Sequence, residues 1–305
     1  MFRQFPAWLV SALLAAMPAS PAGAQELTLK GAIDIHVHQA PDSVARAADA
    51  LTIARLARDM GMRGLVMKNH WEPTASLAYM VRKAVPGIDV FGGVTQDLAV
   101  GGINIEAVRH MAATTGGYGR VVWLPTLDVE TAQKRARHLP AVPVSRDGKL
   151  LPKVLALLDY VATQPQLLFE TGHVTPAEGL LVIAAARARG IRHIVVTHAV
   201  DMGWTVPQMK KAAAMGAYME FVYHSTFGRH QEEKLASYAA VIQQVGPGHC
   251  ILATDLGGVT PGVAYPLEPR GMLDFMKAMR GHGLSVAAIN QMAKANPARA
   301  LGLDP

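Results

Sequence analysis

Apolar residues fall into short, β-branched runs along the chain, separated by stretches whose apolar positions recur at helical spacing. The runs predict strands at 32–38, 64–70, 90–97, 120–127, 167–174, 193–199, 218–224 and 250–256. The intervening segments are amphipathic, as in VARAADALTIARLARDMG at 44–61, and predict helices. Strand alternating with helix implies parallel strands joined by crossovers. Eight such units in about 280 residues have the size of a (β/α)8 TIM barrel, an α/β fold in a single domain.

Local signals support this register. Thr175-Pro176-Ala177-Glu178 reads as a capping box with proline in the first helical position, and Thr205-Val206-Pro207-Gln208 is a similar start. Gly61, Gly190 and Gly216 stand where helices must stop. The fourth and fifth strand segments are unusually far apart. HLPAVPVSRDGKLLP, 138–152, carries three prolines and an Asp147-Gly148 turn, so it reads as a loop or hairpin inserted before a helix from Lys153 to Thr163. At a barrel rim such an insertion serves as a lid or as tolerated decoration.

Composition separates the first residues from the fold. Arg3 gives a basic start, 7–17 is an apolar run, and Ala22-Gly23-Ala24 supplies small residues after Pro18 and Pro21. This is the pattern of a signal peptide, 1–24, cleaved before Gln25, which predicts a periplasmic or secreted protein comprising 25–305. The run is too short to cross a bilayer as a helix, so no membrane association is expected after cleavage. Cys250 is the only cysteine and excludes an internal disulfide. The net charge of +6 becomes +5 without Arg3. Basic residues are scattered through helical stretches rather than interleaved with aromatics, which argues against nucleic acid as a partner.

The chemically informative residues collect at the C-terminal ends of the predicted strands, where a barrel builds its active site. In AIDIHVHQAPDS, 32–43, Ile33, Ile35 and Val37 alternate with Asp34, His36 and His38. Simple alternation places both imidazoles on one face, opposite the aliphatic residues, with Asp34 one step deeper on the imidazole face to orient a histidine. Lys68 and His70 end the second strand and share a face with Val66. Glu170 and His173 end the fifth, His198 the sixth and Asp255 the eighth. Taken singly, each is an ordinary capping or loop residue. Together, imidazole and carboxylate at one end of one barrel suit a divalent metal, with Zn2+ as first choice. Glu220, Tyr223 and His224, at the seventh strand's end, are expected to line the pocket, and Trp123 to pack. His110, His138, His230 and His282 are expected at the surface.

This ordered set resembles the amidohydrolase superfamily of metal-dependent hydrolases. The matching pieces are His36-Val37-His38, His173, His198, Asp255 and the tail ANPARALGL at 295–303. MKNH, TGHV, VTHA and TDLG resemble, more narrowly, a poorly characterised branch. The resemblance implies that His36, His38, His173, His198 and Asp255 hold the metal, and that Asp255 also acts as general base. One departure stands out. Many binuclear relatives carry a carboxylated lysine or a glutamate at the end of strand four, but VVWLPTLD offers neither there. Lys68, if carboxylated, or Glu170, if its strand bends, would replace that bridging ligand. Otherwise one ion is held, and Lys68 remains a cation for an anionic substrate group or a structural ion pair.

The leading expectation is therefore an exported metal-dependent hydrolase acting on an amide, lactone or other ester bond of a small molecule, with one or two ions and an open oligomeric state. A metal-dependent, non-oxidative decarboxylase is the alternative within enzymes, favoured by an arginine-rich pocket. A non-catalytic secreted ligand-binding barrel is the alternative outside them, favoured by a degenerate ligand set.

Overall fold

The structure, a computed structural model, describes Met1 and residues 26–305. The predicted signal peptide, Met1 apart, lies outside the described residues. Each of the eight apolar runs contains a strand. These are β1 (Ile33–His38), β2 (Gly64–Lys68), β3 (Asp89–Thr95) and β4 (Gly119–Trp123); then, after a hairpin of β5 (Ser145–Arg146) and β6 (Lys149–Leu150), β7 (Leu168–Glu170), β8 (Ile194–Val196), β9 (Tyr218–Val222) and β10 (Cys250–Ala253). The sheet order is β1-β2-β3-β4-β7-β8-β9-β10, with parallel pairing throughout. Its two edges meet: the Asp255 N–H donates to the His36 carbonyl at 2.8 Å, and the His38 N–H to the Leu256 carbonyl at 2.8 Å. The chain is a (β/α)8 barrel, as its periodicity predicts.

Closure creates two apolar layers. Ile33, Ile35, Val66, Phe91, Val121, Trp123, Leu168, Val195, Val222 and Ile251 fill the barrel, and Ala298, Ala300 and Leu301 pack against this inner layer. The outer layer joins the strands to the helices and includes Val37, Leu65, Met67, Phe169, Val196 and Met219. Trp123 is thus packing, as expected, and Val66 and Lys68 share the inner face of β2.

Strand β1 departs from simple alternation. Asp34 pairs with Leu65 and Val37 with Met67, so three steps on β1 oppose two on β2. The extra residue is a bulge, and it reverses side-chain parity partway along the strand. Ile33 and Ile35 face the barrel interior before the bulge; Val37 faces the helices after it. Asp34 is therefore not on the imidazole face, contrary to the expectation. Its carboxylate accepts the His36 N–H at 3.1 Å, the Thr254 N–H at 3.1 Å and the Thr254 hydroxyl, fastening β1 to β10. Burial raises this carboxyl to about 7.

The capping boxes at Thr175 and Thr205 form as read, and Gly61, Gly190 and Gly216 each adopt positive φ. The first helix is shorter than predicted, Ala50–Asp59, because the Asp49 side chain caps it by accepting the Thr52 N–H at 2.9 Å. That frees 44–49 to form a loop over the mouth, where Arg46 bridges to Gly258. The 138–152 insertion contains the β5–β6 hairpin, turned by Asp147 and Gly148 at positive φ. Ser145 Oγ donates to Glu178 at 2.7 Å and Arg146 to Glu130 at 2.9 Å. No residue of 138–152 lines the mouth cavity. Among the described residues no helix is long and apolar enough to cross a membrane.

Candidate metal centre

The strands end before most of the polar residues, which ride on the turns just past them. His198 and Asp255 follow β8 and β10 with φ of 50° and 53°. A left-handed backbone costs a non-glycine residue about 1–3 kcal/mol and persists only where the surroundings hold it. Here the holding groups are visible. The His198 N–H donates to Glu220 at 3.0 Å, and the Asp255 N–H closes the barrel onto His36. His173 follows β7 through a turn at Gly172, also at positive φ. A Cβ on Gly172 would lie 2.2 Å from the Leu124 carbonyl oxygen. Chain reversal there lets Glu170 and His173, of opposite parity on a straight strand, both turn inward.

The side chains converge on Asp255. Its Oδ1 lies 3.1 Å from His36 Nε2 and 3.1 Å from His38 Nε2; its Oδ2 lies 3.6 Å from His198 Nε2 and 3.8 Å from His224 Nδ1. The His198 ring centroid is 5.1 Å from that of His36 and 5.0 Å from that of His173. Burial is deep, yet Nε2 of His173 and His198 has no hydrogen-bond partner among the described residues. Buried polar atoms left unpaired cost about 1–3 kcal/mol each. A divalent cation accepts such lone pairs, and this nitrogen-rich donor set with one carboxylate fits it.

Electrostatics agree with that fit. Burial drives His38 and His198 well below the ordinary imidazole value, and takes His173 down to about 3 and His70 to about 4. These rings are neutral, the state a ligand needs. His36 goes the other way. Burial and Lys68 work to lower it, but the charges of Asp255 and Glu220 raise it to about 10. Burial works to raise Asp255, and the His36 and His198 imidazoles hold it well below the usual carboxylate range. The centre is built to carry positive charge.

Supporting groups surround it. Glu220 accepts from His36 Nδ1 at 3.0 Å, which fixes the ring and leaves Nε2 for the centre. His36, His198 and Glu220 also form a set close enough to hold an ion, but Glu220 is already spent on His36 Nδ1 and the His198 N–H. Replacing Glu220 by glutamine is therefore expected to weaken divalent-cation binding by about 10–100-fold. Competition with a chromogenic chelator reads this. His70 stacks on His38 at 4.9 Å, its Nδ1 2.8 Å from Thr126 Oγ1 and 3.6 Å from Asp97. Glu170 accepts from the Thr197 hydroxyl at 3.0 Å; burial, then the Glu220 charge, raise it to about 8. Lys68 lies 5.7 Å from the Trp123 ring centroid, and burial lowers its ammonium pKa.

A cavity of about 350 Å3 opens above the centre, its lining including His38, Lys68, His70, His173, His198 and Asp255. Val44, Leu127 and Val259 stand exposed at its rim. Of the pocket expectations for β9, His224 lines the cavity and Glu220 lies beneath it. Tyr223 does not line it. It turns into the outer layer and stacks on Phe275 at 5.0 Å, since residues 222 and 223 face opposite sides of the wall. His110, His138 and His230 are exposed, and His282 is partly buried beside Glu232. Two functional positions go unread in the sequence. Asp97, behind His70, ends the third strand segment and is legible by the same strand-end rule. Arg46 lies in a stretch patterned like a helix, and nothing local marks it.

The fold has structural counterparts. An organophosphorus hydrolase variant from Deinococcus radiodurans is 17% identical, with a TM-score of 0.59 over 92% of this chain and 99% of that one. An amidohydrolase from Pseudomonas aeruginosa is 13% identical, with a TM-score of 0.61 over 89% and 95%. A lactonase from Listeria monocytogenes is 13% identical, with a TM-score of 0.59 over 92% and 97%. At such identities the likeness is one of fold. No curated protein sequence matches the chain. One family model does, over residues 31–220, a span that runs from β1 through His198 to Glu220. The chain belongs to DUF6282, a family of unknown function.

Proposed function

We propose that the protein is an exported, metal-dependent hydrolase that cleaves an ester, lactone or amide bond of a small molecule with water. The observation that carries this reading is the convergence of buried imidazoles on Asp255 at the barrel mouth, with Nε2 of His173 and His198 left unpaired among the described residues. His36, His38, His173, His198 and Asp255 are the residues to hold the cation, with Zn2+ suited to their donor chemistry. A divalent cation bound there supplies an activated water near neutral pH and polarises the scissile bond. Asp255 accepts the proton of the attacking water and returns it to the leaving group. The cavity, about 350 Å3, matches a small substrate. The solved structures of like fold include a lactonase, an amidohydrolase and an organophosphorus hydrolase, and hydrolysis is common to those names. Arg46 is the only arginine lining the cavity among the described residues, and Asp42 already pairs with it, which disfavours decarboxylation.

The test is cation content together with hydrolysis of a panel of lactones, esters and amides by the purified protein. Chelation should abolish turnover and Zn2+ should restore it. A chain that takes up no stoichiometric cation from excess Zn2+ would sink the reading. Export rests on 1–24, and an N-terminus other than Gln25 on protein recovered outside the cytoplasm would count against it.

A pH dependence follows. A cation arriving at His36 Nε2 must displace the proton that the carboxylates hold there up to about pH 10. Below that pH the protonated ring cannot ligate, so apparent affinity is expected to rise about tenfold per unit as pH increases. Calorimetry in buffers of different ionisation enthalpy should register one proton released; binding independent of pH from 6 to 9, about three decades on this argument, would contradict it.

A further inference from the structure

Resting on that hydrolase reading, we propose that the substrate carries a carboxylate besides the bond to be cleaved, and that Lys68 is the residue that binds it. Lys68 ends β2 on the inner face, is 1% exposed and lines the cavity. Burying an ammonium is costly unless it is paired. Yet no carboxylate of the described residues comes within ion-pair distance of it; its ammonium stands 5.7 Å from the centroid of the Trp123 ring.

Three of the four surrounding carboxylates are occupied, and the fourth, Glu170, is half engaged. Asp255 faces the imidazoles, and Glu220 holds His36 Nδ1 and the His198 N–H. Asp97 accepts the N–H groups of Thr126 and Asp128 at 2.8 and 3.0 Å, and the Thr126 hydroxyl at 2.7 Å. Glu170 takes the Thr197 hydroxyl on Oε2, leaves Oε1 without a hydrogen-bond partner among the described residues and, through burial, favours its neutral form. Arg46, the arginine that lines the cavity, is matched by Asp42 at 2.7 Å. Lys68 is left as the cation without a dedicated counter-ion. A divalent cation at Asp255 would add further positive charge to the same small space. A monoanionic ligand restores the balance, and a carboxylate carries a single charge at neutral pH whereas a phosphate monoester carries nearly two. Trp123 limits where that head can go, so the bound carboxylate would set the distance to the reacting bond.

The experiment uses the Zn2+-loaded full chain and two esters of equal shape: the para-nitrophenyl monoester of glutaric acid, which is anionic, and the para-nitrophenyl ester of 5-methylhexanoic acid, which is neutral. The wild type should favour the anionic ester in kcat/KM by about 10–100-fold, the worth of one charge-assisted hydrogen bond. In Lys68→Met that ratio should collapse towards one with cation content unchanged, and Lys68→Arg should recover part of it. Equal use of both esters by the wild type overturns the proposal. So does loss of cation in Lys68→Met, which would make Lys68, as a carbamate, a ligand of the metal. If neither ester turns over, the hydrolase reading fails separately, and glutarate binding followed by calorimetry still decides the matter. Binding at least about tenfold weaker to Lys68→Met supports the carboxylate site, and equal affinity refutes it.

Discussion

Alanine at position 36 is expected to strip the barrel of its cation and, with it, of turnover. His36 is wholly buried, its Nδ1 held by Glu220 at 3.0 Å and its Nε2 3.1 Å from Asp255 Oδ1. Removing the ring deletes one donor and leaves two carboxylates facing a void without their shared partner. The effect should exceed the roughly 10–100-fold that substitution of outer-shell groups costs a metal site. Elemental analysis of His36→Ala and wild type, prepared together in excess Zn2+, is the measurement. His110→Ala, on an exposed helix face, serves as the control and should keep its cation. Retention of stoichiometric Zn2+ by His36→Ala would remove the centre described here.

The largest effect on stability is expected from Gly257→Ala. Gly257 has φ of +111°, and a Cβ there would sit 1.8 Å from the His38 carbonyl oxygen and 2.6 Å from its carbon. Both atoms are backbone, so no side chain can swing aside. Relief requires moving β1 away from the turn after β10, against the hydrogen bonds that close the barrel, Asp255 N–H to the His36 carbonyl and His38 N–H to the Leu256 carbonyl, each at 2.8 Å. The cost should exceed about 3 kcal/mol, in the range reserved for strain combined with overpacking. Gly148→Ala separates the two contributions. Gly148 has φ of +72° but nothing within 4 Å of a built Cβ, so only strain of about 1 kcal/mol is expected. Urea unfolding of the two variants should differ accordingly, and similar midpoints would disprove the close-approach argument. Gly257→Ala should also lose cation, because the displaced strand carries His36 and His38.

The strand positions were legible because a parallel barrel buries its strands on both faces, and apolar β-branched runs announce that burial. Capping at Thr175 and Thr205 was legible because its partners lie three residues apart. His36, His38, His173, His198 and Asp255 stood out because they gather at the C-terminal ends of four of the runs, and parallel strands bring such ends to one mouth. Lys68 was legible by the same rule, but its lack of a counter-ion was not, since that depends on how four carboxylates from the turn after β3, from β7, from β9 and from the turn after β10 are otherwise engaged.

By itself, then, the sequence determined the eight-unit rhythm, the helix caps and the residue types that meet at the mouth, because all of these rest on contacts a few residues apart or on simple periodicity. Only the tertiary structure decided which way those residues face. The extra residue in β1 appears as a bulge only against the pairing of β2, and it sends Asp34 to Thr254 rather than to the imidazoles. The assignment of Glu220 to His36 spans 184 positions of sequence, and the loop that brings Arg46 over the cavity is held by a bridge to Gly258. Long-range pairing and loop closure leave no local trace in the chain, because the energy that specifies them exists only once the ring has closed.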